Sequence, residues 1–192
     1  MNSFEGTKPD TQKLIITFSH KPMKPVKKTL GTIHIGADHA GFYLKEALVE
    51  YLKKLGYEVI DHGAHRFEKF DDFPDFVIPV AKAVYENPTS VKGIIIGGSG
   101  QGEAMAANQF PNVRSAVFYG NKIFQGKSVV KYTREHNDSN VLSLGARFIT
   151  TAEAKEAVKV WLNTSFSGEY KYIRRIKKIE KILREIRLKD HF

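Results

Sequence analysis

The sequence predicts an α/β protein, an α/β/α sandwich with a five-stranded parallel sheet at its centre and a long helix at its C-terminus. Three observations carry this expectation. Five strand-like segments alternate with helical ones over residues 32–162, the pattern of parallel βα units. The first and third strand segments, Thr32–Gly36 and Gly93–Gly97, are near-continuous apolar runs, as expected where helices cover both faces of a sheet. The third strand then feeds a loop carrying Gly97, Gly98, Gly100 and Gly102, which opens into a helix of small residues.

The elements follow in order. After the first strand, Leu44, Leu48, Tyr51, Leu52 and Leu55 recur at helical spacing, and Gly56 supplies the stop. Glu58–Asp61 is a short second strand. Asp75–Glu86 has helical character, and Pro79 inside it is expected to kink or delay the helix. Gly93–Gly97 is the third strand, Gln101–Gln109 the third helix and Ser115–Tyr119 the fourth strand. Val129–Glu135 reads as a helix, Val141–Leu144 as the fifth strand and Ala152–Leu162 as a further helix. Tyr170–Leu188 is a long amphipathic helix with Ile173, Ile176, Ile179, Leu183 and Ile186 on one stripe, a face suited to a partner subunit. No functional reading attaches to Gly120–Lys131.

A chain of 192 residues with 42% hydrophobic content suits one globular domain with a real core. We therefore divide it into a basic N-terminal extension, residues 1–30, and a single domain, residues 31–192, ending in a dimerisation helix. The extension contains the Pro- and Lys-rich run Lys21-Pro-Met-Lys-Pro-Val-Lys-Lys28, which can continue neither a helix nor a central strand. No window approaches the length of apolar sequence a membrane span needs, and no secretory signal is recognisable. The absence of cysteine excludes disulfides and thiolate catalysis. The expected compartment is the cytoplasm. The net charge of +9 resolves into six Lys against two acids in residues 1–30 and nine Lys or Arg against four acids in residues 169–192. Residues 31–168 hold fifteen of each sign, so the body is neutral and nucleic acid is not an expected partner.

In open parallel sheets, ligands sit outside the carboxyl ends of the strands. The informative polar residues fall there: Asp38 and His39 after the first strand, Asp61 and His62 after the second, Ser99 and Glu103 after the third. Glycines let backbone N–H groups crowd an oxyanion, and the following helix adds its positive end. Glu103, in the first turn of that helix, is placed to move a proton. Its pKa is under opposed influences, since the helix dipole lowers it and burial raises it. The loop is a poor dinucleotide fingerprint, because it follows the third strand and reads G-x-G-x-G. Asp61, His62 and His65 invite a metal reading, but two histidines three apart at a strand exit with no evident set of further ligands do not make a site, so no metal is expected. His34 reads as a sheet histidine, and Phe67, Phe70 and Phe73 as core or lid residues. Taken singly, Asp38-His39 also reads as a turn with an Asx cap, and Arg134–Asp138 as an ordinary helix end.

Together, Gly36-Ala-Asp-His-Ala-Gly41, Asp72-Phe-Pro-Asp75, Gly97-Gly-Ser-Gly-Gln-Gly-Glu-Ala-Met-Ala-Ala-Asn108, Arg134-Glu-His-Asn-Asp138 and Leu144-Gly-Ala-Arg147 resemble the type B ribose-5-phosphate isomerase family. That family also includes galactose-6-phosphate and allose-6-phosphate isomerases. The resemblance runs from about Thr32 to Ile182. It implies a Rossmann-like fold and an aldose–ketose isomerase of sugar phosphates, working without metal or other cofactor as a homodimer or a dimer of dimers. The sugar is expected to be ribose 5-phosphate, with six-carbon sugar phosphates or a non-catalytic sensor as alternatives.

By resemblance, Asp38 and His39 contact sugar hydroxyls and help to handle the ring. Gly98, Ser99, Gly100, Gln101 and Gly102 form the anion hole, with the Ser99 hydroxyl near C1 and the ring oxygen. His136 and Asn137 are given across a dimer interface, His136 assisting ring opening. Arg147 and Arg175 clamp the phosphate, and Lys171 stands where relatives carry another arginine. It keeps the charge and loses the bidentate fork. Many members have a catalytic Cys at the position of Gly97; a second branch pairs Gly there with Glu at the position of Glu103. This chain follows the second pattern, which makes Glu103 the proton-carrying base. The expected site is built from two chains, with Asp38, Ser99 and Glu103 from one and His136, Asn137, Arg147 and Arg175 from the other.

Overall fold

The structure, a computed structural model, describes residues 29–120, 123–124 and 126–189. The basic extension expected at 1–30 lies outside the described residues except for its last two. The sheet contains β1 (Thr32–Ala37), β2 (Glu58–Asp61), β3 (Val91–Gly97), β4 (Ser115–Phe118) and β7 (Val141–Gly145), in the order β2-β1-β3-β7-β4. All of its pairings are parallel, as expected. The chain winds from β1 out to β2 and then back across to β3, so the winding direction reverses between β1 and β3. That reversal opens the crevice in which such sheets bind ligands.

The alternation of side chains along β3 builds two cores. Ile94 and Ile96 face one side, where they pack with Leu44, Leu48 and Leu52 of α1 (Phe42–Leu55) and with Val158 and Trp161 of α5 (Thr151–Asn163). Ile95 faces the other side, against Val77, Val80 and Val84 of α2 (Pro74–Glu86) and Ala107 of α3 (Gln101–Ala107). Gly56 ends α1 in the left-handed conformation, with φ 95°. A capping box between Thr150 and Glu153 starts α5.

One expectation is refined, and one stretch left without a reading takes a definite form. Helix α2 begins at Pro74, which takes the first helical turn where no N–H is needed, so Pro79 does not delay it; Pro79 lies inside the helix, whose apolar face is held by the core. Within Gly120–Lys131 the chain forms a short antiparallel hairpin, β5 (Ile123–Phe124) with β6 (Lys127–Ser128), turning at Gly126 with φ 72°. Helix α4 (Val129–Asn137) follows it directly.

Helix α6 (Tyr170–Lys189) lies at the amino-terminal end of the strands and is only partly engaged. Tyr172 is buried, whereas Ile179, Leu183 and Ile186 of its stripe are exposed, as is Ile182 beside them. Among the described residues no helix is long and apolar enough to cross a membrane.

Candidate active site

A cavity of about 390 Å³ opens at the carboxyl ends of β1 and β3. Asp38, His39, Gly98, Ser99, Gly102, Glu103 and Arg147 line it, with Phe73 and Phe148 as apolar walls. Most of the residues expected in one site are therefore brought together here by three strand ends, those of β1, β3 and β7.

The loop after β3 is held by its carbonyls. Those of Gly97 and Gly98 accept from Ala146 N–H at 2.9 Å and Arg147 N–H at 3.1 Å, and that of Gly100 accepts from the Ser143 hydroxyl at 2.6 Å. In a planar trans peptide the N–H points opposite to the carbonyl, so the Gly98 and Ser99 amides turn away from β7. Gly100 takes φ 76°, which suits glycine and lets α3 start at once. The bend brings Glu103 back beneath the loop, where it is 5% exposed. A Cβ built on Gly97 would lie 1.6 Å from Glu103 Oε1, so only glycine leaves room for this carboxylate. The balance left open by the sequence resolves upward: burial raises the Glu103 pKa, Asp38 adds to the rise, and Glu103's own backbone N–H opposes it.

Asp38 is also buried, and burial raises its pKa against the N–H groups of Gly41 and Ala40 that its Oδ1 accepts at 3.3 and 3.0 Å. The Asx turn is thus present, within the site. His39 is fixed by a residue the sequence reading missed. One oxygen of Asp71 accepts both the His39 backbone N–H at 2.9 Å and its Nδ1 at 2.7 Å, which turns Nε2 away from the carboxylate. The Asp71 side chain is 10% exposed, and its other oxygen is buried with no hydrogen-bond partner among the described residues. The acidic run Asp71-Asp72 was its only signal, since the pair spans 32 residues and nothing local distinguishes the two acids. Asp38, His39 and Asp71 are the one group of three potential metal ligands found among the described residues, all within 4.8 Å.

Other expected residues lie elsewhere. His136 and Asn137 end α4 at the amino-terminal end of the sheet. The His136 ring stacks on Tyr172 with centroids 4.2 Å apart, and Asn137 lines a groove beside Ile176, Ile179 and Leu183. On α6, Lys171 pairs with Glu169 at 2.8 Å and lies over the Tyr172 ring, as does Arg175. Arg147 is a correction. It was expected with this second group, yet it lines the cavity of Asp38 and Glu103 in the same chain, its guanidinium against Gly98, because it directly follows β7.

The smaller readings also resolve. His34 is a sheet histidine, with Nδ1 2.8 Å from His62 Nε2. Asp61 bonds the fully buried Lys45 at 2.6 Å, which occupies it structurally. Phe73 lines the cavity, but Phe67 and Phe70 are not core residues. Phe67 stacks on Tyr43 at the rim, and Phe70 is 88% exposed.

The chain is similar to several known proteins over most of its length. A ribose-5-phosphate isomerase B from Mycobacterium tuberculosis is 39% identical over 144 residues, 75% of this chain and 85% of that protein. A putative sugar phosphate isomerase, YwlF, from Bacillus subtilis is 35% identical over 136 residues, covering 71% and 87%. The structure of ribose-5-phosphate isomerase B from Mycoplasma genitalium with bound ribulose-5-phosphate superimposes with a TM-score of 0.76 at 35% identity, over 82% of this chain and 99% of that one. The ribose/galactose isomerase family model matches residues 33–179. The chain therefore belongs to the ribose/galactose isomerase family, and it is an intramolecular aldose–ketose isomerase of sugar phosphates.

Proposed function

We propose that this protein interconverts D-ribose 5-phosphate and D-ribulose 5-phosphate through an enediolate, with Glu103 as the proton-carrying base. The observation that carries the base assignment is the fit of the Glu103 carboxylate into the space a Cβ on Gly97 would fill. In the open-chain aldose, Glu103 takes the proton from C2, the C2 electrons form the C1–C2 double bond, and the carbonyl electrons move onto O1. The amides of the 98–102 loop and the positive end of α3 stabilise that oxyanion. Glu103 then returns the proton to C1 as the C2 oxygen becomes the ketone, the hydroxyl proton passing from O2 to O1. Burial keeps the base poised above the ordinary glutamate range.

Asp38, Ser99 and His39 face the sugar, and Arg147 meets the phosphate from the same chain. The remaining groups, His136 and Asn137 for ring opening and Arg175 with Lys171 for the phosphate, come from a second copy of the chain. Their place at the opposite end of the sheet, beside the exposed stripe of α6, supports this two-chain plan. The substrate follows the ribose-5-phosphate isomerase B relatives, including the one whose structure contains ribulose-5-phosphate. A coupled assay with ribose 5-phosphate and allose 6-phosphate tests it. We expect turnover with the five-carbon sugar to dominate, and a preference for the six-carbon sugar overturns the assignment.

A further inference from the structure

A second cavity, of about 530 Å³, lies between α6 and the amino-terminal ends of the strands. It is at the opposite end of the sheet from Glu103, and its size falls within the ~300–1,000 Å³ range of small-molecule pockets. Its floor includes Lys92, the second residue of the central strand β3. A lysine there is unusual, because both faces of a parallel sheet are normally apolar.

The charges around the cavity do not cancel. Arg114, Arg134, Lys92 and Lys177 line it against Asp138 and Glu180. Asp138 is already committed, one oxygen accepting from Arg134 at 2.9 Å and the other from Arg114 at 2.8 Å. Glu180 is drawn to Arg114 at 4.0 Å. Two ammonium groups are left over. Burial lowers the Lys92 pKa, the Arg134 guanidinium lowers it further, and only Asp138 opposes them. A half-buried cation beside a second cation is costly unless an anion joins it. Phe166, Ile173 and Ile176 supply an apolar wall facing these amines.

We propose that this cavity binds an organic phosphate, with the phosphate between Lys92 and Lys177 and the organic body against Phe166, Ile173 and Ile176. The site is separate from the catalytic cavity and does not rest on the isomerase reading. Helix α6 carries Lys177 and Ile176 toward it while also bearing Lys171 and Arg175, so one helix serves both regions.

Titration calorimetry of the full chain with adenosine monophosphate and with inorganic pyrophosphate tests the proposal. We expect the nucleotide to bind more tightly than pyrophosphate, because only it uses the apolar wall. Lys92→Met should weaken the nucleotide by about tenfold or more, since it removes a charge-assisted contact at nearly constant volume, and Lys92→Arg should restore most of the affinity. Lys177→Gln provides a second, exposed variant with a loss in the same direction. Arg147→Ala, which disables the catalytic cavity, should leave this binding unchanged. Wild-type affinity in Lys92→Met, loss of binding in Arg147→Ala, or binding of pyrophosphate without the nucleotide would each overturn it.

Discussion

Glu103 and Gly97 act as one unit. Glu103→Gln keeps the shape and removes proton acceptance, so turnover should fall by about 10²–10⁴-fold with KM nearly unchanged, measured by steady-state kinetics. Near-normal turnover would remove Glu103 as the base. The same substitution should not cost stability at neutral pH. A folded-state pKa raised by burial means the native state holds the proton more tightly than the unfolded one, so ionisation penalises folding as pH rises above the ordinary glutamate value. Glu103→Gln should therefore melt at least as high as the wild type at neutral pH, the difference closing in acid. Gly97→Ala should displace the carboxylate and abolish most activity. Because Glu103 can swing aside, its melting temperature should fall only modestly. At Asp71, substitution by leucine frees the His39 ring, and a misplaced sugar contact should lower kcat/KM by about 10²-fold, with Asp71→Asn retaining more because its amide oxygen still accepts both bonds. Equal effects of the two variants would deny Asp71 a positioning role.

Between β1 and the loop after β2, His34 and His62 share a hydrogen bond in a partly buried setting, and burial lowers the pKa of both. The His62 ring lies against His34 at 5.0 Å, with Asp61 and His65 exerting opposed, smaller effects on it. A histidine whose folded pKa is lowered binds fewer protons folded than unfolded. Its contribution is fully present above about pH 6.5 and is lost as pH falls below that value. Denaturant melts should show stability dropping between neutral pH and pH 5, with a shallower drop in His34→Asn. An unchanged slope in that variant would show that the pair does not couple to folding. This edge of the sheet also carries the buried Lys45, held by Asp61 and Glu46 at 2.6 Å each.

At the scale of the whole molecule, the residues proposed to serve one reaction lie at two ends of one sheet, an arrangement that a second chain would reconcile. Mixing Glu103→Gln and Arg175→Ala protomers tests this directly. In mixed dimers one site would receive an intact Glu103 from one chain and an intact Arg175 from the other, restoring about a quarter of wild-type activity on statistical pairing. A site complete within one chain predicts no recovery. Arg175→Ala alone should raise KM by orders of magnitude, since losing one partner of a desolvated charge pair costs about 2–5 kcal/mol. The exposed Ile179, Ile182, Leu183 and Ile186 are the surface on which such a partner would pack.

Much of this architecture was legible in the chain because its signals are local. Apolar runs marked β1 and β3, helical periodicity marked α1, Gly56 its end, and the glycines after β3 the tight loop into α3, each signal lying within a few residues. Glu103 was legible for the same reason, standing one turn into the helix that the loop opens. What tertiary structure decided depends on groups distant in sequence. It placed Arg147 beside Gly98 through the pairing of β3 with β7, and Asp71 beneath His39 across 32 residues. It resolved the opposed influences on Glu103 in favour of burial, a quantity no local pattern contains. It also set His136 and Asn137 apart from Glu103, because a helix following β4 must run back to the start of β7 before that strand can join the sheet in parallel, and α6, which follows α5, carries Lys171 and Arg175 at that same end.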